Sequence, residues 1–182
     1  MKYIGTNGVV AYGIIMYVGF IFVGTYMGYA VGSAPVISYH YGAGNKDELK
    51  NLFKRSLTII IVSSVVMTFI AEIIAGYLAG IFVSYDNNLL ELTTEAIRIY
   101  AVSYLISGVN IFASSFFTAL NNGVVSAVIS FMRMFVFQIV MILLLPVVLG
   151  ISGIWTAVIA AEVLSVVISV MFLVKNRKKY SY

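Results

Sequence analysis

Of 182 residues, 62% are hydrophobic and only 10% are charged, with a mean hydropathy of +1.03, so the chain lacks the polar surface a soluble globular protein needs and reads as an integral membrane protein. The net charge of +4 sits in two short basic clusters beside apolar runs, which is how membrane orientation signals are distributed and not how a nucleic-acid footprint is. Cysteine is absent and histidine occurs once, which excludes a disulfide framework, a thiolate metal site and a histidine-rich metal cluster. No nucleophile–base pair or phosphate-binding loop is present, since GAGN at 42–45 lacks the Lys and hydroxyl residue of a P-loop. An enzyme is therefore not expected, nor any catalytic residue, metal site or cofactor.

The leader, residues 1–8, is short and polar, with Lys2 as its one charge. Residues 9–33 form an apolar run long enough to cross a bilayer with some tilt. A secretory signal would have a shorter apolar core, without Tyr12, Tyr17, Tyr26 and Tyr29, and its basic residues would precede the core rather than follow it. Gly24, Gly28 and Gly32 recur every four residues and predict a close-packing helix face. Pro35 loosens the end of this helix, because the carbonyl it frees needs a partner other than lipid. Asn45 and Glu48 then have the spacing of a reciprocal helix cap. They open a segment, 45–56, with Lys46, Lys50 and Lys54 in one row beside Arg55 and with Leu49, Leu52 and Phe53 opposite. This amphipathic segment is expected on the cytoplasmic membrane surface.

The second expected span is 57–83, followed by an outer loop in which Asp86, Glu91 and Glu95 occur without Lys or Arg. The third is 97–118, closed by the turn ALNNG at 119–123. The fourth, 124–149, carries Pro146 late, and the fifth, 154–174, ends in KNRKK at 175–179. Both basic clusters fall on one side when the N-terminus is outside and the C-terminus cytoplasmic, as expected for a multi-pass protein of the cell membrane. An odd number of spans that begins outside on an almost uncharged leader reads as the continuation of something longer.

Ionisable groups inside a membrane are costly, so each raises a functional hypothesis. Glu72 and Glu162 lie near the middle of the second and fifth spans; either is a proton- or cation-binding carboxylate of a cavity, or a carboxyl hydrogen-bonded to a neighbouring helix. Arg133 is expected to snorkel to the cytoplasmic headgroups. Gln138, deeper in the same span, is expected to face the interior. Tyr100, Ser103, Tyr104, Ser107, Asn110, Ser114 and Thr118 follow helical spacing and form one polar stripe. It lines a water-filled cavity or packs helix on helix, and periodicity allows both. His40 is read as a solvated interfacial residue.

Four patterns in order, GVVAYGIIMY at 8–17, GSAPVISYHYGAGN at 32–45, FFTALNNGVVSAVISFMR at 116–133 and LP with GISGIW within 145–155, resemble the MATE (multidrug and toxin extrusion) family of transporters, in particular its bacterial members. The resemblance covers nearly the whole chain and matches helices 8 to 12. It implies an all-α membrane fold in which about five transmembrane helices form most of one six-helix lobe of a two-lobe transporter, with the N-terminal lobe and helix 7 supplied from outside this sequence. It further implies cation-coupled efflux, driven by H+ or Na+, of amphipathic or cationic small molecules, by alternating access between lobes. The family's coupling carboxylates lie in helices 1, 7 and 10, yet the third span here contains no acid, so a sodium site of the helix 7 and 10 type is not matched. Two other readings stay open: a flippase for lipids or lipid-linked oligosaccharides, which requires a strongly cationic cavity, and a truncated, non-transporting membrane subunit.

Overall fold

In the computed structural model residues 5–182 are described, and Lys2 and the rest of the leader's first residues lie outside them. The chain is helical almost throughout: α1 (Gly5–Gly42), α2 (Lys46–Val83), α3 (Asn87–Ala101), α4 (Tyr104–Ala119), α5 (Gly123–Phe131), a π-helical stretch (Met132–Phe137), α6 (Gln138–Leu149) and α7 (Ile151–Tyr180). Helices α1 and α2, the continuous run Gly123–Leu149 and α7 are each long and apolar enough to cross a membrane. The pair α3–α4, bent by 48° at its break, would make a fifth crossing.

Helix α4 is the axis of the bundle and packs against α1, α2, α5 and α7. Its buried face carries Tyr104, Gly108, Phe112 and Phe116. Tyr104 stacks on Phe22 of α1 at 4.9 Å between ring centroids, and its carbonyl accepts the Tyr26 hydroxyl at 3.1 Å. Phe53 of α2 packs on Phe116 at 5.0 Å. Gly108 admits α2: a Cβ there would lie 2.6 Å from Ser64 Oγ and 3.1 Å from Ile60. Gly153 does the same for the α6–α7 hairpin, since a side chain would collide with the Leu145 carbonyl.

The breaks have local causes. At Val102–Ser103 the backbone tightens, with Ser103 N–H donating to Tyr100 O at 2.9 Å, and Thr68 Oγ1 of α2 reaches the freed Ala101 carbonyl at 3.4 Å. A polar neighbour thus replaces the lost helix partner, as a break at membrane depth requires. At the other end, Ser181 takes the left-handed conformation, φ 60°, and ends α7. This turns Tyr182 back into the bundle, where its hydroxyl donates to Leu173 O at 2.8 Å and its ring meets Phe53 and Phe116 at 4.7 and 4.8 Å.

Three sequence expectations change. The segment 45–56 is not a separate surface element, because nothing breaks the helix after Lys46 and it forms the first turns of α2. At about 1.5 Å per residue, α2 is about 57 Å long against a hydrocarbon core of about 30 Å, so its charged start extends past an apolar span. Only half of the reciprocal cap forms: Glu48 N–H donates to Asn45 Oδ1 at 3.1 Å, while Asn45 N–H donates to His40 O at 3.0 Å instead. Gly24, Gly28 and Gly32 are exposed, and a Cβ at any of them would meet no atom within 4 Å. This face packs on nothing among the described residues.

Candidate functional site

The polar centre is built by α4, α7 and the π-helical stretch. On α7, Ala161, Glu162, Ser165 and Ser169 share one buried face, and Glu162 is 6% exposed. Opposite stands Asn110 of α4, fully enclosed. Its amide nitrogen donates to Glu162 Oε2 at 2.7 Å and to the Glu162 backbone carbonyl at 3.1 Å. Its carbonyl oxygen accepts Ser169 Oγ at 2.8 Å.

Arg133 comes from the π-helical stretch, where the widened turn shifts the register by which residues face α7. Its Nε lies 2.9 and 3.0 Å from the two Glu162 carboxylate oxygens and its Nη2 lies 2.7 Å from Oε1. A planar fork against a carboxylate is the strongest geometry available to such a pair. The expectation that Arg133 snorkels to the headgroups is therefore corrected: the guanidinium is drawn inward by Glu162, and the two side chains are 15% and 8% exposed.

Next to this cluster an open-sided cavity of about 650 Å³ lies between α1, α4 and α5. Its polar wall holds Asn110, Ser114, Thr118, Ser130 and Arg133, and its apolar wall includes Met27, Val31 and Met134. Hydroxyls form a chain along that wall: Ser114 Oγ lies 2.7 Å from Ser130 Oγ and 3.0 Å from Ser126 Oγ, which is 2.7 Å from Thr118 Oγ1. Pro35 also lines the cavity, so the helix irregularity it introduces faces a recess.

The polar stripe expected on the third span is thus divided. Asn110, Ser114 and Thr118 reach the cavity. Tyr104 and Ser107 are buried in helix packing, and Tyr100 sits against Gly19 of α1 with Cε1 3.4 Å from the position of a Cβ there. Gln138 is half-buried, is not among the residues that line this cavity, and makes no side-chain hydrogen bond among the described residues. Glu72 is half-buried with no ion-pair or hydrogen-bond partner among the described residues, and it is not part of the Glu162 cluster. Arg133 and Ser169 enter the site unforeseen; the signal available for both was their helical phase relative to Glu162 and Asn110. Among the described residues no group of His, Cys, Asp or Glu is placed to hold a metal ion.

The described helices thus bring a buried ion pair to the edge of an open-sided recess within a bundle of membrane-length helices. The MatE family model matches residues 1–144, and the chain belongs to that family. Two solved structures share its fold at 18% identity and a TM-score of 0.88: the Vibrio cholerae MATE transporter VcmN in its bent form, covering 97% of this chain, and the outward-facing conformation of a multidrug resistance MATE family transporter of the MOP superfamily, covering 98%. An inward-facing conformation of such a transporter matches with a TM-score of 0.79 over 94% of the chain. The chain spans about 40% of the length of the first two. No curated protein matches it in sequence.

Proposed function

We propose that this chain is part of a cation-coupled multidrug efflux antiporter of the cytoplasmic membrane, working by alternating access with a second lobe, and that Glu162 is its coupling carboxylate. The family membership supports transport. The observation that carries the coupling role is the Arg133–Glu162–Asn110 cluster at the wall of the cavity. Glu162 is held by Arg133, which itself faces the recess, so a cation or proton that engages Glu162 releases an Arg side chain at the place where cargo sits. H+ and Na+ both fit this scheme, and the outward N-terminus and cytoplasmic C-terminus follow from the basic clusters. Glu72, without a partner among the described residues, is the weaker candidate.

Cargo of amphipathic or cationic character suits the apolar wall, where Met side chains adapt to varied shapes. The exposed face of Gly24, Gly28 and Gly32 adjoins Met27 and Val31 of the cavity, and it is the surface on which the remaining helices of the transporter would pack. The flippase reading needs a net cationic cavity, but among the described residues Arg133 is the one ionisable residue lining this recess, and Glu162 neutralises it. The test is ethidium efflux from cells that express the transporter carrying this segment. Glu162→Gln should abolish efflux while Glu72→Gln retains it; the opposite ranking would overturn the assignment.

A further inference from the structure

At the end of the bundle where α2 begins and α7 finishes, a groove of about 210 Å³ is lined by Lys50, Phe53, Lys54, Leu173, Val174, Arg177 and Tyr182. It presents three cations, and neither Asp nor Glu lines it among the described residues. Lys50 and Lys54 are one helical turn apart on α2 and therefore share a face, and Arg177 comes from α7. All three are exposed, and none forms a salt bridge among the described residues. Arg177 Nε donates to the Tyr182 carbonyl at 3.3 Å and makes no other hydrogen bond among them. A smaller recess beside it, about 100 Å³, adds Lys46 and Lys179. The acids of the first turn of α2, Asp47 and Glu48, line neither.

The floor has the opposite character. Phe53 and Tyr182 close it, with rings 4.7 Å apart. From it two exposed apolar rows run along the bundle toward the membrane-length parts of the helices: Ile61 and Val65 on α2, and Val174, Met171 and Val167 on α7. A ligand that satisfies both halves has an anionic head and long apolar chains. We infer that this groove is a binding site for an anionic phospholipid, its phosphate held by Lys50, Lys54 and Arg177 and its acyl chains lying along the α2 and α7 rows. Basic pockets between membrane helices on the cytoplasmic side bind anionic lipid headgroups. Free phosphate would use the cations but leave the apolar rows uncovered. The seated lipid would also bridge the first turns of α2 to the last turns of α7.

The test is native mass spectrometry of the full chain in detergent, with phosphatidylglycerol and phosphatidylcholine of identical acyl chains added separately. Phosphatidylglycerol adducts should survive preferentially. Lys54→Gln and Arg177→Gln should each weaken that retention about fivefold, whereas Lys178→Gln, at an exposed cation outside both recesses, should leave it unchanged. Inorganic phosphate at equal concentration should fail to displace the lipid. Equal retention of both lipids, equal loss in Lys178→Gln, or displacement by phosphate would each overturn the site.

Discussion

Arg133 and Glu162 meet with Nη2 2.7 Å from Oε1, each on a helix long and apolar enough to cross a membrane, and Asn110 closes the arrangement from α4 at 2.7 Å. Removing one partner of such a pair leaves an uncompensated charge in a poorly solvated place and costs about 3–5 kcal/mol. Arg133→Met and Glu162→Met should each lower the thermal unfolding midpoint in detergent markedly. The double variant should lie closer to the unaltered chain than either single one, and additive losses would show that the two side chains are not coupled.

Asn110 is the hinge between that pair and Ser169, whose hydroxyl lies 2.8 Å from its side-chain oxygen. Asn110→Leu fills the volume but strands Ser169 and removes a donor from the carboxylate, at about 1–3 kcal/mol for each buried polar group left unpaired. Asn110→Leu/Ser169→Ala should recover part of the loss in urea or thermal unfolding. No recovery would mean that the Ser169 bond carries no stability.

Gly108 and Gly153 are contact points where two helices leave no room for a methyl group. Overpacking of this kind costs about 1–3 kcal/mol. Gly108→Ala should be destabilising and partly rescued by Ser64→Ala, which removes the atom 2.6 Å from the new Cβ. Gly153→Ala should have no such rescue from any side-chain change, because its obstacle is the Leu145 backbone. Circular dichroism melts of Gly108→Ala, Gly108→Ala/Ser64→Ala and Gly153→Ala distinguish the cases.

Tyr182 supplies the pH dependence. Burial pushes its phenol above the ordinary value of 10.0, since desolvation disfavours the phenolate. The folded chain therefore holds this proton where the unfolded chain loses it, so the stabilisation is complete below pH 10 and declines as pH rises above it. Tyr182→Phe should flatten that part of the stability profile relative to the unaltered chain, and identical alkaline slopes would contradict the buried placement.

The all-helical membrane fold and its family were legible because long apolar runs, basic flanks and four ordered motifs carry them in one dimension. The rest depended on rotation and depth. The break at Val102–Ser103 carries neither Pro nor Gly and is made possible by Thr68 on another helix, so no local signal announces it. The π-helical turn at Met132–Phe137 is equally silent in sequence, yet it helps set which way Arg133 points and reverses the snorkelling expectation. The stripe from Tyr100 to Thr118 was visible as a period, but the bend splits it between packing and cavity. Gly24, Gly28 and Gly32 show why spacing alone falls short: it marks a face able to pack closely, and among the described residues nothing packs on it.

The central claim is that Glu162 links cation movement to cargo movement. The most direct measurement is exchange in proteoliposomes containing the transporter that carries this segment, following a fluorescent cationic drug and the driving ion together under an imposed H+ or Na+ gradient. Glu162→Gln should abolish gradient-driven drug movement and the matching ion flux while leaving drug binding measurable. Ion-coupled drug transport that persists undiminished in Glu162→Gln would contradict the account.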